Sequence, residues 1–584
     1  MVSFDGVSIF EQHPPTASAV VWKGDDEYIW AAKYNEKYNK WDRISKGESG
    51  IDDAEVINKA LEYIDDGLPH FKTLKISGYY EINDTIKVPS YVILDLYDSY
   101  IKLADNTQKP MIINSNIFTI HDPTSIDYEN KYIEIHGGVL DGNKDEQQNI
   151  IQNGNPAFRN PIILFNRSYR IVVKDAIIKN GQNDGIVLLN FYEQNGSKQP
   201  SYQLQTSDSV IHNCRIDNCG TYVTYEKGIH FNSISNTIIS NCMISNISAQ
   251  AVHTFASKHI LIENSKATLC KDGGFWVSYG TSFSVISNCV VEGCDNTSIG
   301  ISPARCADSY PISQYVNRFN NIAIGNVIDG GNTGITARYS NCHIIGNVIY
   351  NPGSKGIYIW GDDKDVSNIL ISNNLIIGSG DSTIEVSTES NNFHNIKIEN
   401  NEIIDSGNRG IKITVINDTN YYIENLEIKN NLIIRPSANG IDVVYNVKNC
   451  CIIGNTVVNP GSICIGSYLE SGYYQHLIVK DNWVDPNISI SNRISISSLA
   501  DAIITSNYNY TTENHGTATI NADGSTTSFT IPHRLVSTPN YVNVIPKGSS
   551  PKPDSIDDDS TNITLTFSTA PASGTYYYWW EARV

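Results

Sequence analysis

Three residues suited to chemistry, His230, His253 and Trp276, occupy the same position in consecutive copies of a loose repeat. Each copy starts with a small residue followed by an apolar one, as in Gly228-Ile229, and the varying residue comes next. A neutral imidazole can act as a general base, and an indole face can stack on a ring-shaped ligand. The candidate chemistry is therefore proton transfer or ligand binding on a framework that repeats.

The framework covers most of the chain. Its small–apolar starts mostly lie 22 to 30 residues apart. They are Gly185-Ile186, Gly228-Ile229, Ala251-Val252, Gly274-Phe275, Ser298-Ile299, Gly334-Ile335, Gly356-Ile357, Thr383-Ile384, Gly410-Ile411, Gly440-Ile441 and Ser462-Ile463. An Asn series shares this period: Asn241, Asn264, Asn288, Asn326, Asn347, Asn374, Asn401, Asn431, Asn455 and Asn482. Two series with one period indicate a solenoid.

Each period holds two or three short Ile- and Val-rich strands, divided by Gly, Asn and Ser, and no amphipathic helix. Stacked coils of this kind pair every strand with the strand above it. The sequence predicts an all-β fold, a right-handed parallel β-helix in which Asn residues occupy the turns and stacked amides hydrogen-bond. Cys214, Cys242 and Cys289 each follow a turn Asn, so we expect buried free thiols, with disulfides between neighbouring coils as the alternative.

The flanks of the repeat predict two further modules. Residues 1–47 read as a small N-terminal β module, and the β-helix follows over 48–510. A helix at about 52–65 would cap the first coil, because an uncapped β-helix end is an exposed sheet edge. Residues 511–584 read as a small β-sandwich-like domain.

Composition excludes several classes of partner. The formal net charge of −20 argues against nucleic acid, and against acidic glycans unless a local basic patch compensates. The sequence contains no run of 18 apolar residues, so we expect no membrane insertion. The N-terminus lacks the basic and apolar regions of a signal peptide. The eleven Cys include no CxxC pair, so we expect no zinc site, and no cofactor motif is present.

Three stretches resemble the pectate-lyase-like superfamily, in the right order. "SGIDDAEVINKALEYI" is similar to its entry segment, "HGGVLDGN" (136–143) to its Gly-Gly-x-x-Asp-Gly-Asn stretch, and "NDGI" (183–186) opens the coils. The resemblance covers roughly 48–510 and implies the fold. It leaves the activity open, because the superfamily includes lyases, hydrolases, epimerases and inert binders.

The two ends resemble virus proteins. The segment from "GSTTSFTIPHRL" to the final "YYYWWEARV" is similar to C-terminal modules of tail and spike proteins of bacterial and archaeal viruses. "VVWKGDDEYIWAAKYNEKYNKWDRISKGESGIDD" is similar to the start of archaeal surface and virus β-helix proteins. The resemblance implies a virion-surface spike without a signal peptide, joined to other virion proteins by its N-terminal module. It also implies a homotrimer whose partner is a host polysaccharide or glycoprotein glycan.

Alternate residues after each start should point outward and stack about 4.8 Å apart. The first outward column is Val187, His230, His253, Trp276, Gly300, Thr336, Tyr358, Glu385, Lys412, Asp442 and Cys464. The second contains Phe255, Arg338 and Trp360. Aromatic faces beside polar groups suit sugar rings, so the candidate glycan-binding residues are Phe255, Trp276, Arg338, Tyr358 and Trp360. The alternative is that these rings pack under loops or against a trimer partner.

A second set of residues could catalyse cleavage of a glycan. A lyase needs a base, for which His230 or His253 would serve, although paired His on a β face are often ladder members. Hydrolysis needs two carboxylates, and the candidate pairs are Glu385 with Asp362 or Asp363, and Asp184 with Glu226. For Glu385, Lys412 and Asp442 the alternative is a solvated ion ladder. Asn183-Asp184-Gly185 resembles the first polygalacturonase Asp motif, but Glu226-Lys227 stands where a paired Asp belongs.

Three functions therefore remain open from the sequence. The first is a virion spike or fibre that recognises host glycan on the lateral β-helix face. The second is a polysaccharide depolymerase, a hydrolase or lyase, that acts on that glycan. The third is a cellular surface or architectural β-helix protein without a sugar ligand.

Overall fold

A computed structural model describes most of the chain. The described residues are 2–4, 7–9, 17–35, 37–38, 40–116, 130–147, 160–194, 197–200, 205–221, 226–278, 280–301, 320–361, 365–389, 391–415, 421–444, 446–468, 475–496 and 502–584. The chain divides into two compact units, Met1–Trp360 and Gly361–Val584, which are considered separately below.

In the first unit each coil contains three strands, termed lateral, middle and third in chain order. The lateral strands are Ile86–Val88, Ile112–Asn114, Ile163–Asn166, Ile186–Leu189, Ile229–Asn232, Gln250–Phe255, Gly273–Ser278, Thr297–Ile301, Thr333–Ala337 and Lys355–Gly361. The middle strands are Asn130–His136, Ser168–Lys174, Val210–His212, Ile234–Ser240, Lys258–Glu263, Val285–Ser287, Asn321–Ile324 and Cys342–Ile345. The third strands are Val139–Asp141, Ile177–Lys179, Arg215–Asp217, Met243–Ser245, Lys266–Thr268, Val290–Glu292, Val327–Asp329 and Val348–Tyr350. Lys72–Ile82 and Val92–Leu103 are long strands at the start.

The second unit repeats this arrangement. Its lateral strands are Ile384–Thr388, Ile411–Val415, Ile441–Val444, Ile465–Tyr468 and Ile494–Ile496. Its middle strands are Val366–Ser372, Phe393–Glu399, Ile423–Lys429, Val447–Ile453, Gln475–Lys480 and Ala502–Thr505. Its third strands are Leu375–Ile377, Glu402–Ile404, Leu432–Ile434, Thr456–Val458 and Trp483–Val484. A short helix, Ile490–Arg493, precedes the last lateral strand.

The predicted parallel β-helix is confirmed by the strand pairing. Each strand pairs in parallel with its counterpart one coil later, as Ile229 does with Val252 and Val252 with Phe275. The apolar residue of each start lies in the core, with no solvent exposure at Ile229, Val252 or Phe275. Stacking thus buries an apolar side that one coil alone would leave in water.

One start was predicted two residues too early. Ile441 pairs with Ile465 and Asp442 with Gly466, so the last start is Cys464-Ile465 rather than Ser462-Ile463. Both dipeptides fit the small–apolar pattern, and only the pairing separates them. Cys464 is buried before the strand, so it leaves the outward column and Gly466 replaces it.

The Asn series combines two adjacent positions. Asn241, Asn264 and Asn288 have φ between 49° and 55°, the left-handed turn conformation that Asn tolerates. From Asn326 onward the series moves to the next residue, which is buried and stacks in a hydrogen-bonded amide ladder. In the earlier coils Cys242, Ser265 and Cys289 occupy that buried position.

The cysteines follow the same register. All ten in the described residues are free, and nine are buried. Cys214 and Cys242 lie on neighbouring coils, as do Cys270 and Cys294, and the thiols of Cys214, Cys242 and Cys270 donate to main-chain carbonyls. Burial raises the pKa of Cys219, Cys289 and Cys342 to about 12, which keeps these thiols protonated and unreactive.

The N-terminal strands Ala19–Lys23, Tyr28–Asn35 and Lys40–Glu48 are antiparallel, and the first pairs in parallel with Lys72–Ile82. A short hairpin, Val2–Phe4 with Val7–Ile9, precedes them. An α-helix follows over Asp53–Ile64, with its apolar face buried. Asp53 is fully buried and accepts the backbone N–H groups of Gly50 and Glu81. The predicted domain boundaries remain predictions.

The C-terminal segment forms two three-stranded antiparallel sheets. Glu513–Ala522 and Tyr541–Lys547 flank Gly574–Arg583, and Ser528–Pro532 and Ser555–Asp558 flank Asn562–Thr566. Their inner faces share an apolar core that includes Ile563, Leu565 and Tyr578. None of the helices in the described part of the chain has the length and apolar character that a membrane span requires.

Candidate functional site

The lateral sheet of the first unit aligns the predicted column. Val187 pairs with His230, His230 with His253, and His253 with Trp276. Trp276 then pairs with Gly300, Gly300 with Thr336, and Thr336 with Tyr358. The repeat period therefore places these side chains on one face, as the sequence predicts.

The two histidines are buried rather than exposed. His230 and His253 stack with ring centroids 5.8 Å apart, and each is 9% exposed. The Nδ1–H of His230 donates to Asp184 Oδ2 at 3.2 Å, and His253 Nε2 is hydrogen-bonded to Ser278 Oγ at 2.5 Å. Sequence alternation predicted the direction of these side chains correctly but not their burial.

Burial makes His253 a group that resists protonation. Its pKa lies well below the usual 6.5, chiefly because burial disfavours the imidazolium, and Lys227 and His230 add repulsion. His253 is therefore neutral at physiological pH and holds a fixed hydrogen bond.

This predicts a pH dependence of stability. Below about pH 6.5 the unfolded chain binds a proton at this position and the folded chain does not. The free energy of unfolding should therefore decrease as the pH is lowered below that value. The His253 contribution is at most about 1.4 kcal/mol per pH unit. Urea unfolding of the wild type and His253→Gln from pH 7.5 to 5 measures it. A slope that is the same in both proteins would contradict the assignment.

Trp276 lies at one end of a gap in the column of large side chains, which we term the groove. Its ring lies edge-on to His253 with centroids 6.3 Å apart, and its indole N–H donates to the Thr297 carbonyl at 3.0 Å. The next two positions of the column carry no side chain, at Gly300, and a short one, at Thr336. This gap in the column was not singled out from the sequence, although the column itself shows it.

The other end of the groove is an aromatic pair with a cation. Tyr358 and Trp360 stack with centroids 6.2 Å apart and an interplanar angle of 12°. The Arg338 guanidinium lies over the Trp360 ring at 3.9 Å, and Lys355 Nζ lies 4.8 Å from the Tyr358 ring. All three predicted residues are half-buried, so they present part of their surface to solvent. Phe255, also half-buried, lies apart from them, beside Ser278.

The Asp184–Glu226 pair has structural partners. Asp184 accepts the Lys227 backbone N–H in addition to His230, and Glu226 accepts the Ser248 hydroxyl at 3.2 Å. Both carboxylates are buried, at 4% and 1% exposure. Asp184 thus belongs to the histidine cluster, and Glu226 lies at a corner.

In the second unit, Glu385 lies in an ion pair. Its Oε1 accepts from Lys412 Nζ at 3.1 Å, and Asp442, two coils along, pairs with Arg409. The alternative of an ion ladder is met in its charge pairing, but the carboxylates are 4% and 1% exposed, so the ladder is buried on its acidic side rather than solvated. Burial raises the pKa of Asp442 despite Arg409. Asp362 and Asp363 lie outside the described residues.

The superfamily-like motif has a structural explanation. Gly137 and Gly138 have φ of 69° and 78°, and a Cβ on either would clash with Tyr97 or Leu96. Asp141 accepts from the Asn143 backbone and the Asn180 amide, both at 3.0 Å. The motif therefore closes a corner. In the described residues no group of three or more His, Cys, Asp or Glu could hold a metal ion.

Part of the chain matches a known protein family, and its fold is similar to several solved structures. Residues 203–308 and 307–467 match the family model described as right handed beta helix region. A search of curated proteins found no match. Among solved structures the chain is similar to the tailspike protein of E. coli bacteriophage HK620 in complex with pentasaccharide, at 12% identity over 91% of this chain and 90% of that one, with a TM-score of 0.42.

Two further structures are similar. The tailspike protein gp49 from Pseudomonas phage LKA1 has 11% identity over 90% of this chain and 92% of that one, with a TM-score of 0.40. The catalytic domain of a GH87 alpha-1,3-glucanase in complex with nigerose has 16% identity over 73% and 67%, with a TM-score of 0.39. The matching family model and the observed strand order agree on the fold, a right-handed parallel β-helix.

Proposed function

We propose that the chain is a virion spike or fibre that binds host-surface glycan in the groove between Trp276 and the Tyr358–Trp360 pair. The virion setting is supported by the resemblance of both end segments to virus proteins. The glycan is supported by the composition and spacing of the groove itself.

The observation that carries the proposal is the groove geometry. Trp276 and Tyr358 lie three strand spacings apart, about 14 Å, with Gly300 and Thr336 between them. Gly300 and Thr336 are themselves buried, whereas the aromatic side chains on both sides of them are partly exposed, so a short oligosaccharide would contact the flanking rings. Arg338 and Lys355 supply hydrogen-bond donors beside the rings. Apolar ring faces with a few directed polar groups are the usual features of a sugar site.

A depolymerase is the second candidate, and one observation favours it. Neutral His253 lies beside Trp276 and is linked through His230 to Asp184, so a base stands next to the proposed sugar site. Against it, both imidazoles and both carboxylates, Asp184 and Glu226, are buried and engaged within the fold. We therefore propose recognition in preference to cleavage, and in preference to a structural role without a sugar ligand.

The test measures both polymer retention and polymer size. The purified full chain is incubated with surface polysaccharides extracted from host cells, alongside Asp184→Asn and Glu385→Gln. We expect all three proteins to retain polymer of unchanged length. Shortened polymer that either variant abolishes would identify a depolymerase and place that carboxylate in its site. Neither retention nor shortening would refute glycan binding and favour a structural role.

A further inference from the structure

A second surface on the first unit is built from corner residues that lie just before a middle strand or within its first three residues. One residue per coil occupies this corner, and of the first eight all but Phe71 have φ between 44° and 60°. The first eight, in order, are Phe71, Tyr91, Tyr132, Arg170, Asp208, Asn236, His259 and Phe283, which we term the corner strip; Asn341 holds the same corner two coils further on. We propose that the corner strip binds an acidic polysaccharide, as a site separate from the groove.

One end of the strip is an aromatic cluster. Tyr91 and Tyr132 stack with centroids 5.0 Å apart, and Phe71 meets both edge-on at 6.4 and 6.1 Å. Tyr169, next to the corner, lies edge-on to Tyr132 at 5.7 Å. Phe71 is 46% exposed and the tyrosines are half-buried, so the rings present a surface for sugar stacking.

The middle of the strip is a chain of hydrogen bonds. The Tyr169 hydroxyl donates to Asp208 at 2.8 Å, and the Asn236 amide donates to the other Asp208 oxygen at 3.1 Å. His259 Nδ1 is hydrogen-bonded to Asn236 at 3.1 Å, and its ring lies 5.5 Å from Phe283. Seven strand spacings separate Phe71 from Phe283, about 34 Å, which suits an extended polymer better than a small molecule.

The positive charges along the strip favour an acidic polysaccharide over a neutral one. Arg170 lies 5.5 Å from the Tyr132 ring, Lys258 lies 5.0 Å from the Phe283 ring, and Lys131 is exposed next to Tyr132. The strip's one carboxylate, Asp208, already accepts from Tyr169 and Asn236. Three cations beside aromatic rings, on a chain of net charge −20, form a local basic surface that complements sugar carboxylates.

The backbone argues against a purely structural role. In the second unit the same corner holds Asn368, Asn395, Asn425 and Asn449, with φ of 51° to 59° and side chains joined in an amide ladder, followed by His476 with φ of 60°. Asn is among the side chains that best tolerate this conformation, whereas Tyr, Arg and Phe are disfavoured there. Bulky residues kept at an unfavourable angle are a mark of function rather than of folding.

The experiment uses the opposite effects that a corner substitution should have on binding and on stability. Binding of the full chain to immobilised polygalacturonate and hyaluronate is compared with binding to neutral dextran, for the wild type, Tyr132→Asn and Arg170→Gln. We expect at least tenfold weaker binding for Tyr132→Asn with an unchanged or higher Tm, because Asn suits the corner. Arg170→Gln should weaken binding and flatten its salt dependence. The control Tyr79→Ala removes an exposed tyrosine outside the strip and should change nothing.

Three results would overturn the proposal. The first is no retention on either acidic polymer. The second is a lower Tm for Tyr132→Asn with unchanged binding, which would show a packing role. The third is a changed sedimentation coefficient for that variant, which would make the strip a contact between copies of the chain. The strip shares no residue with the groove, so Trp276→Ala distinguishes the two sites: retention that this variant abolishes and Tyr132→Asn keeps would place the acidic polymer in the groove.

Discussion

Replacing Asn431 with Ala should lower the free energy of unfolding by about 4 kcal/mol. Asn431 is 1% exposed, and its amide donates to the Ile398 carbonyl and to Asn455 Oδ1, both at 2.9 Å. Its Oδ1 accepts the backbone N–H and the amide of Asn401 at 3.0 and 2.9 Å. The substitution leaves two donors and one carbonyl without partners in a core closed to water, and each costs about 1–3 kcal/mol.

The matched control is Asn425→Gly in the exposed ladder of the same unit. Asn425 donates to Asn395 at 3.0 Å and accepts from Asn449 at 3.1 Å, but it faces solvent and has φ of 57°, which Gly also adopts. Water replaces both bonds, so the cost should stay below about 1 kcal/mol. Urea denaturation of both variants measures the difference. Equal losses would show that the buried ladder contributes no more than a surface turn.

The register of the coils was predictable because one physical demand recurs in each coil. The residue before the inward apolar side chain lies close to the next coil: a Cβ at Gly228 or Gly410 would clash with that coil's carbonyl, and the starts that lack Gly have Ala, Ser, Thr or Cys there. That demand marks the strand start wherever it occurs. It fails at Ser462-Ile463 because Cys464-Ile465 satisfies the same pattern, and only strand pairing decides between them.

The Asn series was less predictable because two neighbouring positions favour the same residue for different reasons. One position needs a residue that tolerates positive φ, and the next needs a buried amide that can both donate and accept. In coils such as that of Asn400 and Asn401 both are Asn. Period alone cannot separate positions that differ by one residue.

The site was predictable in direction but not in burial. Strand alternation places His230, His253, Glu385 and Asp442 outward, and the structure agrees, yet each is at most 9% exposed. What covers an outward residue comes from other parts of the chain, which alternation does not describe. The corner strip was missed for a related reason, because its signal lies at the start of each middle strand rather than in the lateral strands.

Replacing Trp360 with Ala should weaken glycan binding about thirtyfold, and Trp276→Ala should do the same from the other end of the groove. A central aromatic residue of a binding site typically contributes about 2 kcal/mol or more, and 1.4 kcal/mol is a tenfold change in Kd. The two ends lie about 14 Å apart and share no partner, so the double variant should lose about 4 kcal/mol, near a thousandfold. Isothermal titration with the retained glycan gives all three values.

Two controls separate glycan recognition from packing: one keeps an aromatic ring at position 360, and the other removes a tryptophan outside the groove. Trp360→Phe keeps a ring under Arg338 and should recover most of the affinity, whereas Trp483→Ala removes a half-buried tryptophan of a third strand and should leave Kd unchanged. If Trp360→Ala lowers Tm but not affinity, the Arg338–Trp360 contact serves the fold. If one end carries the whole effect, the glycan contacts that end alone and does not span the gap over Gly300.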